Sequence, residues 1–220
     1  MKLKIPVIFA VLICSLASIN AQVPPLVAQD DVQEWNEVQL TVPLSKKVDF
    51  STAAAFRFGK NISRFTDGRI HIGVIWHPNK TWTFQPFYSN IELRDSRGRF
   101  RHEDRFSLRI GYKFPAKKFG LLHRSMFEYR IRSTGNFWRY RPSLTFEKEL
   151  PKKFKSKIFV TEEVFYDSIT DKFSRNRFTV GINRTLTKKL SVDVFYMRQN
   201  DGFSRPGDQN VIGNTWKIKF

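Results

Sequence analysis

The sequence predicts an all-β chain, an antiparallel up-and-down transmembrane β-barrel of ten to twelve strands, with twelve favoured. Three observations predict it. Apolar and polar residues alternate with period two through most of the 220 residues, as strands with one apolar and one polar face do. Short lysine-bearing connections recur at near-regular spacing, at Lys46-Lys47, Lys80, Lys117-Lys118, Lys152-Lys153 and Lys188-Lys189. Between them lie longer connections rich in Arg, Asp, Gly, Ser and Asn, over 59–68, 92–103, 133–137, 167–174 and 200–209, the turn-and-loop rhythm of a membrane barrel. The chain then ends on an alternating strand with a terminal aromatic, Phe220.

Composition narrows the alternatives. A hydrophobic fraction of 41% and a mean hydropathy of -0.40 exclude a polytopic helical membrane protein. They fit a barrel, where only alternate residues face lipid. An aromatic share of 15% is too high for a disordered chain. The single cysteine, Cys14, excludes a disulfide framework and a cysteine zinc site. The net charge of +18 points to nucleic acid or an anionic membrane surface. Lys2 and Lys4 precede a mostly apolar run from Ile5 to Ile19, and the small residues Ala17, Ser18 and Ala21 follow. This is the layout of a secretory signal peptide. Its removal takes away Lys2 and Lys4, lowers the charge from +18 to +16, and puts nucleic acid out of reach. The expected organisation is a signal peptide over 1–21, an N-terminal segment over 22–34 and a barrel over 35–220, in the bacterial outer membrane.

Each strand follows from its own stretch of pattern. Over 35–44, Val38, Leu40, Val42 and Leu44 alternate with Glu37, Gln39, Thr41 and Pro43. Strand 48–58 follows the first lysine turn. Over 69–77, Ile70, Ile72, Val74 and Trp76 share one face, and 81–91 follows Lys80. Over 104–114, Phe106, Leu108, Ile110 and Tyr112 alternate with Arg105, Ser107, Arg109 and Gly111. Phe127, Tyr129 and Ile131 mark 121–132; Trp138, Tyr140, Leu144 and Phe146 mark 138–149. Strand 155–166 is less regular, because Glu162 shares a face with Ile158, Val160 and Val164; a bulge is expected there. Strands 175–186, 189–199 and 210–220 complete the set. Several reach the roughly 9–11 residues that a tilted strand needs to cross a bilayer. Trp76, Trp82 and Phe114 flank the lysine turns, while Tyr88, Trp138, Tyr140 and Tyr196 lie toward the other end, as two aromatic girdles would.

Two questions stay open at this level. The first is parity. Eleven strands ending on the periplasmic side would make the first and last strands meet in parallel. An ascending strand within 23–34 would make twelve, although Pro24-Pro25 and Asp30-Asp31 suit a strand poorly; exclusion of the first strand would leave ten. The second is inside against outside. A soluble sandwich or lipocalin-like barrel would bury the apolar face instead. Against the membrane reading, Arg184, Glu162 and Asn214 fall on the lipid face, where a basic residue at mid-bilayer costs roughly 2–4 kcal/mol.

The candidate site lies on the polar face. Arg57, Arg69, Arg105, Arg130, Arg132, Arg139, Arg141, Arg175 and Arg177 lie toward the longer loops, and Glu103, Glu128, Glu147, Glu163 and Asp193 share that face. One reading is an arginine–carboxylate ladder that fills a narrow interior. The other is an electropositive vestibule, or narrow pore, that attracts small anionic solutes or lipopolysaccharide phosphates. Ten to twelve strands leave only a narrow channel. His123 and Ser125 share one face and raise a rival, a lipid-modifying hydrolase, since a serine needs an adjacent base. They follow a lysine turn, and no orienting carboxylate is evident nearby. His71, His77 and His102 lack metal-ligand spacing, and loop residues Asp201 and Asp208 read as solvated. No cofactor and no enzyme activity are expected. The expected partners are outer-membrane lipids, lipopolysaccharide or small anionic solutes, and the barrel-assembly machinery through Phe220.

Four short features carry a family resemblance: Trp35 soon after the signal peptide, Glu103-Asp104-Arg105 at a strand entry, the strand Trp138-Arg139-Tyr140-Arg141, and Glu162-Glu163. In these the chain resembles the bacterial outer-membrane barrel family catalogued as domain of unknown function 2490. The resemblance implies an outer-membrane barrel over most of the mature chain. It implies no activity, so no functional residue is carried over from it.

Overall fold

The computed structural model describes residues 30–95, 97–116, 118–202 and 207–220. The expected signal peptide and most of the 22–34 segment lie outside the described residues. Among the described residues, eleven strands form one closed barrel. They are β1 Asp31–Pro43, β2 Val48–Gly59, β3 Arg64–Trp76, β4 Trp82–Arg94, β5 Phe100–Lys113, β6 Gly120–Arg132, β7 Gly135–Glu149, β8 Ser156–Asp167, β9 Lys172–Thr185, β10 Leu190–Asp201 and β11 Gln209–Lys219. Successive strands pair antiparallel. The expected bulge in β8 is present as a register shift between Phe165 and Tyr166. A second shift, between Arg57 and Phe58, leaves no mark in the alternation.

The favoured count of twelve is corrected to eleven. Strand β1 pairs parallel with β11, from Asp31 opposite Gln209 to Thr41 opposite Lys219. No ascending strand stands between them. Hydrocarbon demands that every backbone N–H and C=O find a partner. A parallel ladder meets that demand, at slightly lower stability per residue than an antiparallel one. The seam is pinned at both ends, where Asp31 N donates to Asp208 O at 3.0 Å and Phe220 N to Thr41 O at 3.1 Å.

One end of the barrel, the lysine end, carries the connections 44–47, 77–81, 114–119, 150–155 and 186–189. The other, the arginine end, carries 60–63, 95–99, 133–134, 168–171 and 202–208. The connections at the arginine end are shorter than expected. Ser133-Thr134 is a two-residue turn followed by Gly135 at φ +123°, a backbone position that favours glycine. Much of the expected loops 59–68 and 92–103 is strand, since β3 begins at Arg64 and β5 at Phe100. The strands here rise past the apolar belt with polar side chains on both faces. The ladder continues while the period-two signal disappears.

Burial settles which face is inside. Ile70 is 61% exposed and Glu103 is 0% exposed. Ile70, Ile72, Val74, Trp76, Phe106, Phe127, Trp138, Phe178, Val180, Ile212 and Trp216 all stand on the outer surface. The buried set is instead dominated by Asp, Glu, Arg, Ser and Gln. This inverts a soluble core, so the sandwich and lipocalin alternatives fall: the protein is a transmembrane β-barrel. Two of the three polar residues noted on the lipid face, Glu162 and Asn214, are paired. Asn176 Nδ2 donates to Glu162 Oε1 at 3.0 Å. Asn214 Nδ2 donates to Asn36 Oδ1 at 2.5 Å across the parallel seam. Arg184 sits at the lysine end of β9, opposite Ser156, where a long side chain reaches the interface.

Candidate functional site

Strand alternation aims every second residue into the lumen. All the arginines and carboxylates singled out in the sequence point there, but they do not form one cluster. Glu103 is the hub of the arginine end. It accepts from Arg105 Nε at 3.0 Å and Nη2 at 2.5 Å, from Arg130 Nε at 2.7 Å and Nη2 at 2.8 Å, and from Arg132. Arg105 Nη1 continues to Glu128 Oε1 at 3.1 Å, and Arg141 Nη1 meets the same oxygen at 3.0 Å. Arg141 then binds Glu163 twice, through Nε at 3.1 Å and Nη2 at 2.9 Å. Arg124 also binds Glu163, and Arg177 Nη1 lies 3.7 Å from it. The result is a chain of alternating charge that winds from β5 to β9. Such a network is tolerable at low dielectric because each carboxylate is held by more than one cation.

Satellite pairs complete the arginine end. Asp67 holds Arg69, through Nε at 2.5 Å, and Arg57 at 3.8 Å. Asp167 Oδ1 accepts from Arg139 Nε at 2.6 Å, and Asp201 Oδ2 from Arg175 Nε at 2.6 Å. Glu147 and Asp193 stand apart near the lysine end. They accept from Lys157 Nζ at 2.7 Å and Lys217 Nζ at 2.5 Å.

Three aromatic rings of the lumen lie against the arginines of this network. The Phe165 ring is fully buried, with the guanidinium carbons of Arg141 and Arg177 at 4.5 and 4.7 Å from its centroid. Phe137 lies under Arg130 at 4.7 Å and Arg132 at 4.9 Å. Trp35 has Arg57 at 3.4 Å and Arg177 at 4.9 Å from its ring centroid. Ring faces attract these cations without cancelling their charge. The phase of Trp35 with Glu37 and Gln39 was the available signal for its inward aim. Arg109, Arg124, Asp67 and Asp167 were also missed. The two arginines share a phase with the chosen ones, and the two aspartates sat in expected loops.

Filling is uneven along the axis. Toward the arginine end Glu103, Arg105, Glu128, Arg130, Phe137 and Phe165 are buried. Toward the lysine end many inward residues are uncharged, among them Gln39, Ser51, Ala53, Thr83, Thr161 and Thr179, and they keep partial exposure beside the Glu147–Lys157 and Asp193–Lys217 pairs. The interior is a cup, packed at the arginine end and looser at the other.

The His123–Ser125 pair is on the outer face. His123 Nε2 lies 3.0 Å from Ser125 Oγ, and Ser125 Oγ 3.0 Å from Tyr140 OH. These groups satisfy one another where lipid offers no partner. His71 Nδ1 meets Ser89 Oγ at 2.6 Å in the lumen, His77 lies 3.4 Å from Asp49, and His102 bridges Glu92 and Asp104 on the outer face. Among the described residues no group of His, Cys, Asp and Glu is arranged to hold a metal ion.

Fold and lumen together define a membrane β-barrel with a narrow, arginine-rich interior. The family described as "Protein of unknown function (DUF2490)" matches residues 32–210, and the chain belongs to it. No curated protein sequence matches the chain. Among solved structures it is similar to the NanC porin, with 10% identity and a TM-score of 0.51 over 86% of this chain and 99% of that one. It is also similar to the anion-selective porin from Comamonas acidovorans, with 11% identity and a TM-score of 0.41 over 81% of this chain. It spans 54% of that porin's length. At these identities the likeness is one of barrel architecture.

Proposed function

We propose that the protein is an outer-membrane barrel forming a narrow, anion-preferring conduit, with its lysine end in the periplasm. One observation carries the reading. Among the described residues, Arg57, Arg69, Arg105, Arg109, Arg124, Arg130, Arg132, Arg141 and Arg177 line one stretch of the lumen with Glu37, Asp67, Glu103, Glu128 and Glu163, so cations outnumber carboxylates there. The surplus positive charge lies in a confined, low-dielectric passage, where a charge excess selects the opposite ion. The signal-peptide-like start supports export. The barrel-sized likeness to the NanC porin supports a porin-like wall.

Planar-bilayer recording of the purified barrel tests this. Small conductance steps are expected, with a reversal potential in a KCl gradient that favours chloride. The preference should weaken above about 1 M salt, where the Debye length falls to roughly 3 Å. It should also weaken in Arg57→Gln/Arg177→Gln. Cation preference, or selectivity unchanged in that variant, would overturn the reading. The packed arginine end favours a second one, a closed barrel whose ion network is purely structural; absence of any steps would support it.

A further inference from the structure

Buried polar side-chain atoms without a hydrogen bond are not spread evenly over the lumen. Among the described residues they are Arg57 Nε, Ser107 Oγ, Arg109 Nε, Arg124 Nε, Glu128 Oε2 and Arg130 Nη1. All but the first belong to β5 and β6. Buried polar groups are nearly always satisfied, so a local concentration of exceptions calls for a cause.

Within this wall Arg109 differs from the other lumen arginines described so far. No carboxylate lies within ion-pair distance of it among the described residues. Its one hydrogen bond runs from Nη1 to the neutral Gln85 Oε1 at 3.0 Å. Its guanidinium carbon lies 5.2 Å from the Phe87 ring centroid. Neither contact supplies negative charge. Arg124 stands diagonally across the strand pair: Arg109 is opposite Met126, and Gly111 is opposite Arg124. Inward residues so related lie about 7–8 Å apart along the backbone. Arg124 spends one terminal nitrogen on Glu163 and leaves Nε without a partner. Gly111, opposite Arg124, adds no side chain of its own, and the Thr83 hydroxyl occupies the space over it. Both arginines stand at the floor of the looser half of the cup, below the packed network.

We infer that Arg109 and Arg124 form a binding step for a compact oxyanion, a phosphate or carboxylate group, entered from the lysine end. A planar guanidinium offers parallel N–H donors that fit two oxygens of such a group. The anion supplies the close ion-pair partner that Arg109 lacks among the described residues and offers acceptors to the free Nε donors. The inference rests on the anion-preferring reading of the lumen, and it adds the ligand chemistry and the residues that hold it.

The test is equilibrium dialysis of radiolabelled inorganic phosphate against the folded full chain in a zwitterionic detergent. Saturable uptake of one phosphate per barrel is expected, at an affinity on the order of millimolar. Arg109→Gln should weaken it by about tenfold or more, as loss of a charge-assisted contact does. Lys46→Gln/Lys47→Gln, on the rim, should leave it unchanged. Retained heat-modifiable gel mobility shows that each variant is folded. Acetate should compete if the step reads the oxyanion group in general; failure of both acetate and sulfate to compete would overturn the assigned ligand class. Absence of saturable uptake, uptake unaltered in folded Arg109→Gln, or equal loss in the rim variant would each overturn the site. Bilayer selectivity is read separately. A barrel that prefers chloride yet binds no phosphate sinks the site alone, and one that binds phosphate without conducting sinks the conduit alone.

Discussion

Glu103 shows most directly how this lumen is held. It is fully buried and accepts hydrogen bonds from Arg105, Arg130 and Arg132. Glu103→Gln should destabilise the barrel by about 3–5 kcal/mol, because removing one partner leaves buried cations uncompensated. A lowered urea midpoint for loss of the folded gel band would check this. Arg109→Gln, by contrast, should leave that midpoint unchanged or raise it, since no carboxylate depends on Arg109. The phase of each arginine was legible in the sequence. Its partner was not: Glu103 and Arg130 are 27 positions apart, and no local pattern links them.

At the level of elements, the informative feature is the β1–β11 seam. Its side-chain clasp, Asn36 to Asn214, lies on the lipid face. Asn214→Ala should cost about 1–3 kcal/mol, because the Asn36 amide is then left unsatisfied in hydrocarbon. Asn36→Ala/Asn214→Ala should recover most of that loss, and a double-mutant cycle in urea measures the coupling. Asn214 stood out in the sequence as a misplaced polar residue. Its partner on β1 could be found only once the parallel closure was known. Strand existence was readable for every element, because each has apolar residues at every second position somewhere along it. Strand ends at the arginine end were not, because β3, β5 and β9 continue there with charge on both faces. Lengths of ladder held by backbone hydrogen bonds alone leave no hydropathy signal.

For the whole molecule, the odd strand number sets where things can be reached. The chain enters β1 at the arginine end, beside the 60–63 connection, where Ile62 N donates to Val32 O at 3.1 Å. With the lysine end in the periplasm, Lys60→Cys should react with a membrane-impermeant maleimide on intact cells. Lys47→Cys should react only after the outer membrane is opened. The reverse pattern would turn the barrel over and, with it, the entrance to the Arg109 step.

By itself the sequence determined the all-β class, the strand sequence, the phase of each strand and the presence of one ionic and one greasy face. These are local properties with a period of two residues. The pattern reads the same whether the greasy face meets lipid or fills a core, and it does not count the strands in a closed ring. Tertiary structure alone decided that the carboxylates and guanidiniums enclose the interior, that the ring closes at eleven through a parallel seam, and which cations find an acid. Closure and ion pairing join residues far apart in the chain, so they exist only once the ring has formed.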